Sequence, residues 1–475
     1  MVDQQNKTPL YDKLIQHGKK QPISFHVPGH KFGDVFSSRG EKAYSEILKL
    51  DATEITGLDD LHGTHGVIKQ AQLLASDYFE SDQTHFLVNG TTSGNLAAIL
   101  ATCGPGETVI VQRNCHKSII HGLELAGAKP VFLMPQFEET TNRFSQINPN
   151  MIKQAFKEYP QARTVILTYP DYFGRAYSIK EVIEVIHAFH VPVIVDEAHG
   201  VHFKVGAPFP SPSLDEGADL VTQSAHKMAP AMTMASFLHI KGERISKSKV
   251  AYYLQVFQSS SPSYPIMASL DLARYFLSMY EDTHKNELIS HVKELRGLLD
   301  ESSELFRVMP LTLMDDPLKI TLSPTGPHTG FEIAELLESQ KVYPELATSD
   351  QVLLTVGLVP SIKLNSLKER LSQVNWELKN KQHHGTIRSE QISFPMLQTL
   401  DMNYQEMQQG TPVFVFWEVA VDRICAEAVM PYPPGIPLIM KGERVTESHK
   451  ETVRSLQQQK AHFQNTAIDQ GIWVF

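Results

Sequence analysis

The sequence is short of cysteine, carries no excess of positive charge and contains no long apolar run. Three cysteines in 475 residues, Cys103, Cys115 and Cys425, are too few and too scattered for a disulfide framework or a zinc site. They predict free thiols and a cytoplasmic location. Lys plus Arg count 43 against 53 for Asp plus Glu, a formal net charge of −10. That balance argues against a nucleic-acid partner and leaves no basic surface for anionic lipid. No apolar stretch is long enough to span a bilayer, and no basic segment followed by an apolar one opens the chain as a leader would. Neither a repeat of 20–50 residues nor a low-complexity tract is visible, which excludes solenoids and tails. Hydrophobic residues at 42% and a length of 475 residues leave room for two or three domains around a large core.

What is present is a rhythm. Short, continuously apolar, β-rich runs end at Val88, Gln112, Met134, Thr168, Asp196, Thr222 and Ile240, and helical patterns separate most of them. Such runs predict a mostly parallel sheet covered on both faces, an α/β class whose ligands lie at the carboxyl ends of the strands. The polar residues with chemical potential, Asn89, Arg113, Tyr169, Asp196 and 222–227, all follow strand ends. A helix-rich segment near 267–300 leads away from this unit, and a smaller α+β region is expected at the C-terminus. The expected division is 1–65 as an N-terminal arm, 66–285 as the large domain and 286–475 as the small and C-terminal region. Residues 361–382 predict a charged helix and 386–410 an irregular polar stretch. Val413–Val421 fits a strand or a buried helix, 444–464 a charged helix, and Gly471–Phe475 a final strand.

Ser224-Ala-His-Lys227 is the most informative stretch. It follows a strand and precedes the small, apolar Met228-Ala-Pro-Ala, the desolvated setting in which a lysine is a neutral amine near pH 7. Upstream, Asp196 closes Val-Ile-Val-Asp. A lysine behind a strand-end aspartate suits pyridoxal phosphate (PLP): Lys227 as Schiff-base lysine, Asp196 as partner of the pyridinium nitrogen. Ala198 is small enough for a ring to lie against it, and His199 either touches the cofactor or fills a turn. Asn89-Gly-Thr-Thr-Ser-Gly-Asn95 begins a helix and is suited to a phosphate through Thr92 and Ser93, although a plain N-cap explains it equally well. His116 presents a flat ring at the same sheet edge, or caps a helix. The segment 258–264 is a hydroxyl-rich linker or a phosphate contact. His26, His30, His62 and His65 with Asp59 and Asp60 raise a metal site, but His62-x-x-His65 fits no helix-borne zinc motif, and none is expected.

The chain resembles the Orn/Lys/Arg decarboxylase family, PLP enzymes of the aspartate-aminotransferase fold, in its short branch. Phe25–Lys31, Gly57–His62, Asn89–Asn95, Arg113–Ser118, Asp196–Gly200, Gln223–Lys227, Ser259–Pro265 and Tyr432–Pro437 carry the likeness, in order across nearly the whole chain. The resemblance implies Lys227, Asp196, His116 and His226 as the catalytic set. It implies Thr92, Ser93, Ser224 and His226 around the phosphate, and Ser260 reaching the cofactor of another subunit in a homodimer or larger homo-oligomer. Glu427 becomes the candidate partner of the substrate's distal cation. The implied reaction is decarboxylation of arginine, lysine or ornithine to agmatine or a diamine, precursors of polyamines. The alternatives are an aminotransferase, with Arg423 or Arg444 available to clamp a carboxylate, and a non-catalytic PLP-binding regulator. A helicase reading of Asp196-Glu-Ala-His199 fails for want of a phosphate-loop lysine.

Overall fold

The computed structural model describes residues 4–302, 304–379, 395–431, 436–459 and 461–475. Nine strands precede residue 241: β1 (Gln83–Leu87), β2 (Thr108–Gln112), β3 (Lys129–Leu133), β4 (Gln136–Glu138), β5 (Arg143–Gln146), β6 (Thr164–Thr168), β7 (Val193–Asp196), β8 (Leu220–Gln223) and β9 (Ser236–Ile240). Seven follow: β10 (Phe306–Val308), β11 (Lys319–Pro324), β12 (Leu346–Ala347), β13 (Val352–Thr355), β14 (Leu397–Thr399), β15 (Val413–Phe416) and β16 (Gly471–Val474). The large sheet has the order β1-β9-β8-β7-β6-β2-β3-β14. Its five central strands, from β8 to β3, are parallel. Every residue of β2, β6, β7 and β8 is buried, as the unbroken apolar runs demand of strands covered on both faces.

The last strand departs from the parallel pattern. β9 runs antiparallel to β8, and β1 antiparallel to β9. Antiparallel neighbours need no crossover helix. The chain from Ser224 to Ala235 therefore stays at the carboxyl edge of β8, and Lys227 stays with it. β1 ends at the same edge, where Gly90 N–H bonds Met234 O at 2.9 Å. The helix that follows, Gly90–Thr102, is buried on nearly every side. It lies so close to the sheet that a Cβ on Gly94 would come 2.7 Å from Leu87 and 3.1 Å from Thr222. Close packing of this kind sets where the helix's polar residues point.

A four-stranded antiparallel sheet, β10-β11-β13-β12, forms beyond residue 305, and β15 and β16 make a two-stranded ribbon with its own small core around Trp417, Cys425 and Ile472. This is the smaller α+β region. Val413–Val421 is a strand to Phe416, as one reading expected, and then a short helix from Trp417 to Ala420 that is exposed at Glu418 and Val419 rather than buried. The stretch expected to be irregular holds β14, an antiparallel edge strand on β3, and the helix Tyr404–Gln409. Three strand residues are too few to show a period. Of the proline-rich turn 431–437, residues 432–435 lie outside the described set, as do 380–382 of the expected charged helix and 386–394 of the polar stretch. All three cysteines are buried and free.

The N-terminal segment is fastened to this frame by buried polar groups. Asp271 accepts from Leu10 N–H at 3.0 Å and pairs with Arg274 at 2.9 Å, both side chains fully buried. Arg274 also donates to the carbonyls of Gln5 and Lys7. Asp59 accepts from the backbone of His65, Gly66, Ile68 and Lys69, and so caps the helix Val67–Phe79. Replacing Asp271 by Ala strands the Arg274 guanidinium in the core and should cost about 3 kcal/mol. Hydrogen exchange should show faster opening of residues 5–14; unchanged protection would contradict this account.

Candidate functional site

The carboxyl edge of β6, β7 and β8 opens into a narrow cavity of about 30 Å³ lined by Thr91, His116, Thr168, Pro170, Tyr172, Asp196, Ala198, His199 and Lys227. Five residues expected at a cofactor site, His116, Asp196, Ala198, His199 and Lys227, therefore meet in one place.

Asp196 ends β7 with its carboxylate buried. It accepts from Asn95 Nδ2 at 3.0 Å and from Ala198 N–H at 3.2 Å. Burial pushes its carboxyl pKa up, while Lys227 and these donors pull it back. Asn95 uses both ends of its amide. Its Nδ2 also donates to Ser118 at 3.0 Å, and its Oδ1 accepts from Thr222 at 2.7 Å. Lys227 sits in the short helix Ala225–Met228. Its Nζ lies 3.2 Å from His199 Nε2 and 5.6 Å from the centre of the Tyr172 ring. Burial lowers its pKa, against the pull of Asp196 and Glu345. His116 caps the helix Lys117–Ala126, accepting from Ser118 N–H on Nδ1, and burial holds its pKa down at about 4. The ring is therefore neutral, with its proton on Nε2.

At the start of helix Gly90–Thr102, Thr91 faces the cavity and meets Ser224 at 3.0 Å between hydroxyls. Thr92 is exposed on the same first turn, and Ser93 is buried with its hydroxyl on Gly90 O at 2.9 Å. His226 does not line the cavity; its Nδ1 bonds Ala235 O at 3.1 Å and ties the lysine segment to β9. Ser260 is exposed and is not among the residues that line the cavity. Glu427 is half-buried and accepts from Trp473 N–H at 3.3 Å, outside the lining residues. Arg423 and Arg444 are tied to Phe475 O at 3.1 Å and Asp401 at 3.3 Å, so neither clamps a carboxylate in this cavity.

Sequence reasoning passed over Asn95, Thr91, Thr168, Tyr172 and Lys319. Asn95 and Thr91 lie inside a motif already singled out, but the face of the helix decides which of its residues turn inward. Lys319, on β11, bonds the other nitrogen of His199 at 3.2 Å. It comes from a region with no motif and is brought in by tertiary folding alone. Tyr172 also lines a roomier cavity of about 340 Å³ bounded by Arg113, Arg143, Phe173 and Gln351. Amine and carboxylate meet in the narrow cavity and not in the larger one. The histidines once considered for a metal have other partners: His30 pairs with Asp51 at 3.1 Å, and His62 bonds Ser259 O at 2.8 Å.

The residues that line this cavity suit PLP. They offer an amine, a buried carboxylate, a neutral ring and a small residue, and the first turn of a helix stands beside them. The Thr168 hydroxyl, buried in the lining, has no hydrogen-bond partner among the described residues and has its bonding capacity left for a ligand oxygen.

Two family models match the chain. One, described as the Orn/Lys/Arg decarboxylase major domain, spans residues 8–358. The other, described as the C-terminal domain of the same family, spans 390–466. The chain is 42% identical to the uncharacterized protein YaaO of Bacillus subtilis (strain 168), over 96% of each sequence. It is 33% identical to an arginine decarboxylase of the same organism, over 94% of this chain and 92% of that protein. Among solved structures, the lysine decarboxylase LdcF of Francisella novicida superposes with a TM-score of 0.80 at 20% identity, covering 98% of this chain and 80% of that one.

Thr168→Val tests the fit. Removing an unpartnered buried hydroxyl should leave the stability of the cofactor-free chain unchanged or raise it by about 1 kcal/mol, while PLP affinity falls about tenfold. Thermal unfolding with and without PLP reads both effects, and an undiminished cofactor-induced rise in Tm would contradict it.

Proposed function

Because the chain belongs to the Orn/Lys/Arg decarboxylase family of carbon–carbon lyases, we propose that it is a PLP-dependent decarboxylase of arginine, lysine or ornithine. The substrate loses its α-carboxylate as CO₂ and leaves as agmatine or a diamine, which feeds polyamine synthesis in the cytoplasm. The observation that carries the reading is the meeting of Lys227, Asp196, His116 and Ala198 in one cavity.

PLP, when bound, supplies the electron sink for the pair released as the Cα–carboxylate bond breaks. The chain's own residues do the rest. Lys227 would hold the cofactor covalently, and its amine, once displaced by substrate, carries the proton that returns to Cα. Asp196, braced by Asn95 and Ala198 N–H, would face the ring nitrogen and keep it cationic. His116 and Ala198 would bracket the ring. Thr91, Thr92, Ser93, Ser224 and the helix N-terminus would receive the phosphate, with His226 steadying the segment behind it. Ser260 is assigned to the cofactor of a second subunit, and Glu427 to the substrate's distal cation.

A homodimer is part of the reading. Ile23 and Phe25, 88% and 96% exposed, are large apolar side chains in a segment held to the body by polar anchors, and they support a subunit contact there. An aminotransferase is less well supported, since neither Arg423 nor Arg444 reaches the cavity.

Purified protein loaded with PLP should release CO₂ from one of the three basic amino acids tested in parallel. Lys227→Ala should abolish that release together with the cofactor's bound-state visible absorbance; an active Lys227→Ala protein would overturn the assignment. Glu427→Gln should raise KM about tenfold with kcat less affected, as loss of a uniform binding contact does. Sedimentation equilibrium should return at least a dimer, and a monomer active at assay concentrations would remove Ser260 from the site.

A further inference from the structure

His199 stands between two lysines, one in the short helix Ala225–Met228 and one on β11. Its Nε2 is 3.2 Å from Lys227 Nζ, and its Nδ1 is 3.2 Å from Lys319 Nζ. Lys319 is 2% exposed. Its other partner among the described residues is the Thr355 hydroxyl at 3.1 Å, so neither contact is an anion. The stem of Lys319 is held in place by the turn at Gly174. That residue has φ +81°, and a Cβ there would come 2.6 Å from Lys319 Cγ.

The count of hydrogens at His199 is decisive. A neutral imidazole has one N–H and one lone pair. An ammonium only donates. If both lysines were cationic, one contact would set N–H against N–H. Burial, together with Lys227, Lys319, His116 and His202, keeps the His199 ring neutral. With both contacts made as hydrogen bonds, one of the two amines is uncharged and accepts from the imidazole N–H, while the other donates to its lone pair. Moving one proton from Lys319 Nζ to His199 Nδ1 and one from His199 Nε2 to Lys227 Nζ exchanges the two arrangements. Nothing else is consumed or released.

We propose that Lys319 is a positioning residue that shares one proton with Lys227 through His199, so that the Lys227 amine is available as the free base and is recharged when it must donate. The inference rests on the cofactor reading above, in which Lys227 is the reacting amine. Burial lowers the Lys319 pKa to about 8, with Asp316, Glu345 and Asp171 raising it and Lys227 lowering it further. A group in that range gives and takes a proton near neutrality. Asp196 and Glu345 are the acids that act on Lys227 itself.

The test reads the Lys227 amine directly. Full-length chain freed of cofactor is acylated with trace acetic anhydride across a pH series, and the Lys227 peptide is quantified by mass spectrometry. In the unsubstituted chain, Lys227 should react with a midpoint below that of exposed lysines. Lys319→Met removes the competing cation, so the midpoint should rise by about one pH unit and reactivity near pH 7.5 should fall about tenfold. Lys319→Arg keeps the charge and should restore the low midpoint, but it cannot release its proton and should still lower kcat. His199→Phe breaks the relay from the middle but leaves the Lys319 charge in place, so the midpoint should stay low while kcat falls as in Lys319→Arg. In the holoenzyme, the acid limb of the pH profile for CO₂ release should move with the midpoint. An unmoved midpoint in Lys319→Met, or full turnover in His199→Phe, would overturn the relay. So would a shift that Lys319→Arg fails to reverse, or full turnover in Lys319→Arg. Absence of CO₂ release from all three amino acids would overturn the decarboxylase reading instead, and the acylation midpoints would still decide the relay.

Discussion

A carboxylate buried at the end of a strand has lost its water, and the protein must replace that solvation. Asn95 supplies one of the two hydrogen bonds that do this for Asp196, and much of the site follows from it. For its amide to reach Asp196, the helix that carries it must lie hard against the sheet, which the glycine facing Leu87 and Thr222 permits. The same close approach aligns the helix start with the β8–β9 connection, so that Thr91 and Ser224 meet. One satisfied amide thereby joins β7, β8 and two helix starts. Left unmade, its contacts would each expose a buried polar group to an apolar surround, at about 1–3 kcal/mol apiece.

The antiparallel turn of β9 contributes the second element of the design. A crossover helix after β8 would have carried the chain to the opposite edge of the sheet before it could return. A local reversal instead leaves the lysine where the carboxylate already is. The site is thus assembled by a change of strand direction as much as by the identity of its side chains.

Strand ends were legible in the sequence because unbroken apolar runs leave little choice for a doubly covered sheet, and the polar residue after each run must lie at an edge. That placed Asp196, His116 and Lys227 together before any contact was known. The turn of a helix was not legible: Thr92 and Ser93 stood out by type, while Thr91 is the one that lines the cavity and Asn95 the one that reaches Asp196. Nor was anything that depends on packing between distant segments. Lys319 and the edge strand Leu397–Thr399 have no local signature, because their positions are set by partners 120 and more than 260 residues away.

The contact between His199 and Lys319 also has a mechanical side. His199 follows β7 of the large sheet, whereas Lys319 begins β11 of the small one. A hydrogen bond across that seam works as a latch, and its length measures how far apart the two sheets stand. The acid–base state of the cavity and the relative position of the two sheets are, at this point, a single coordinate.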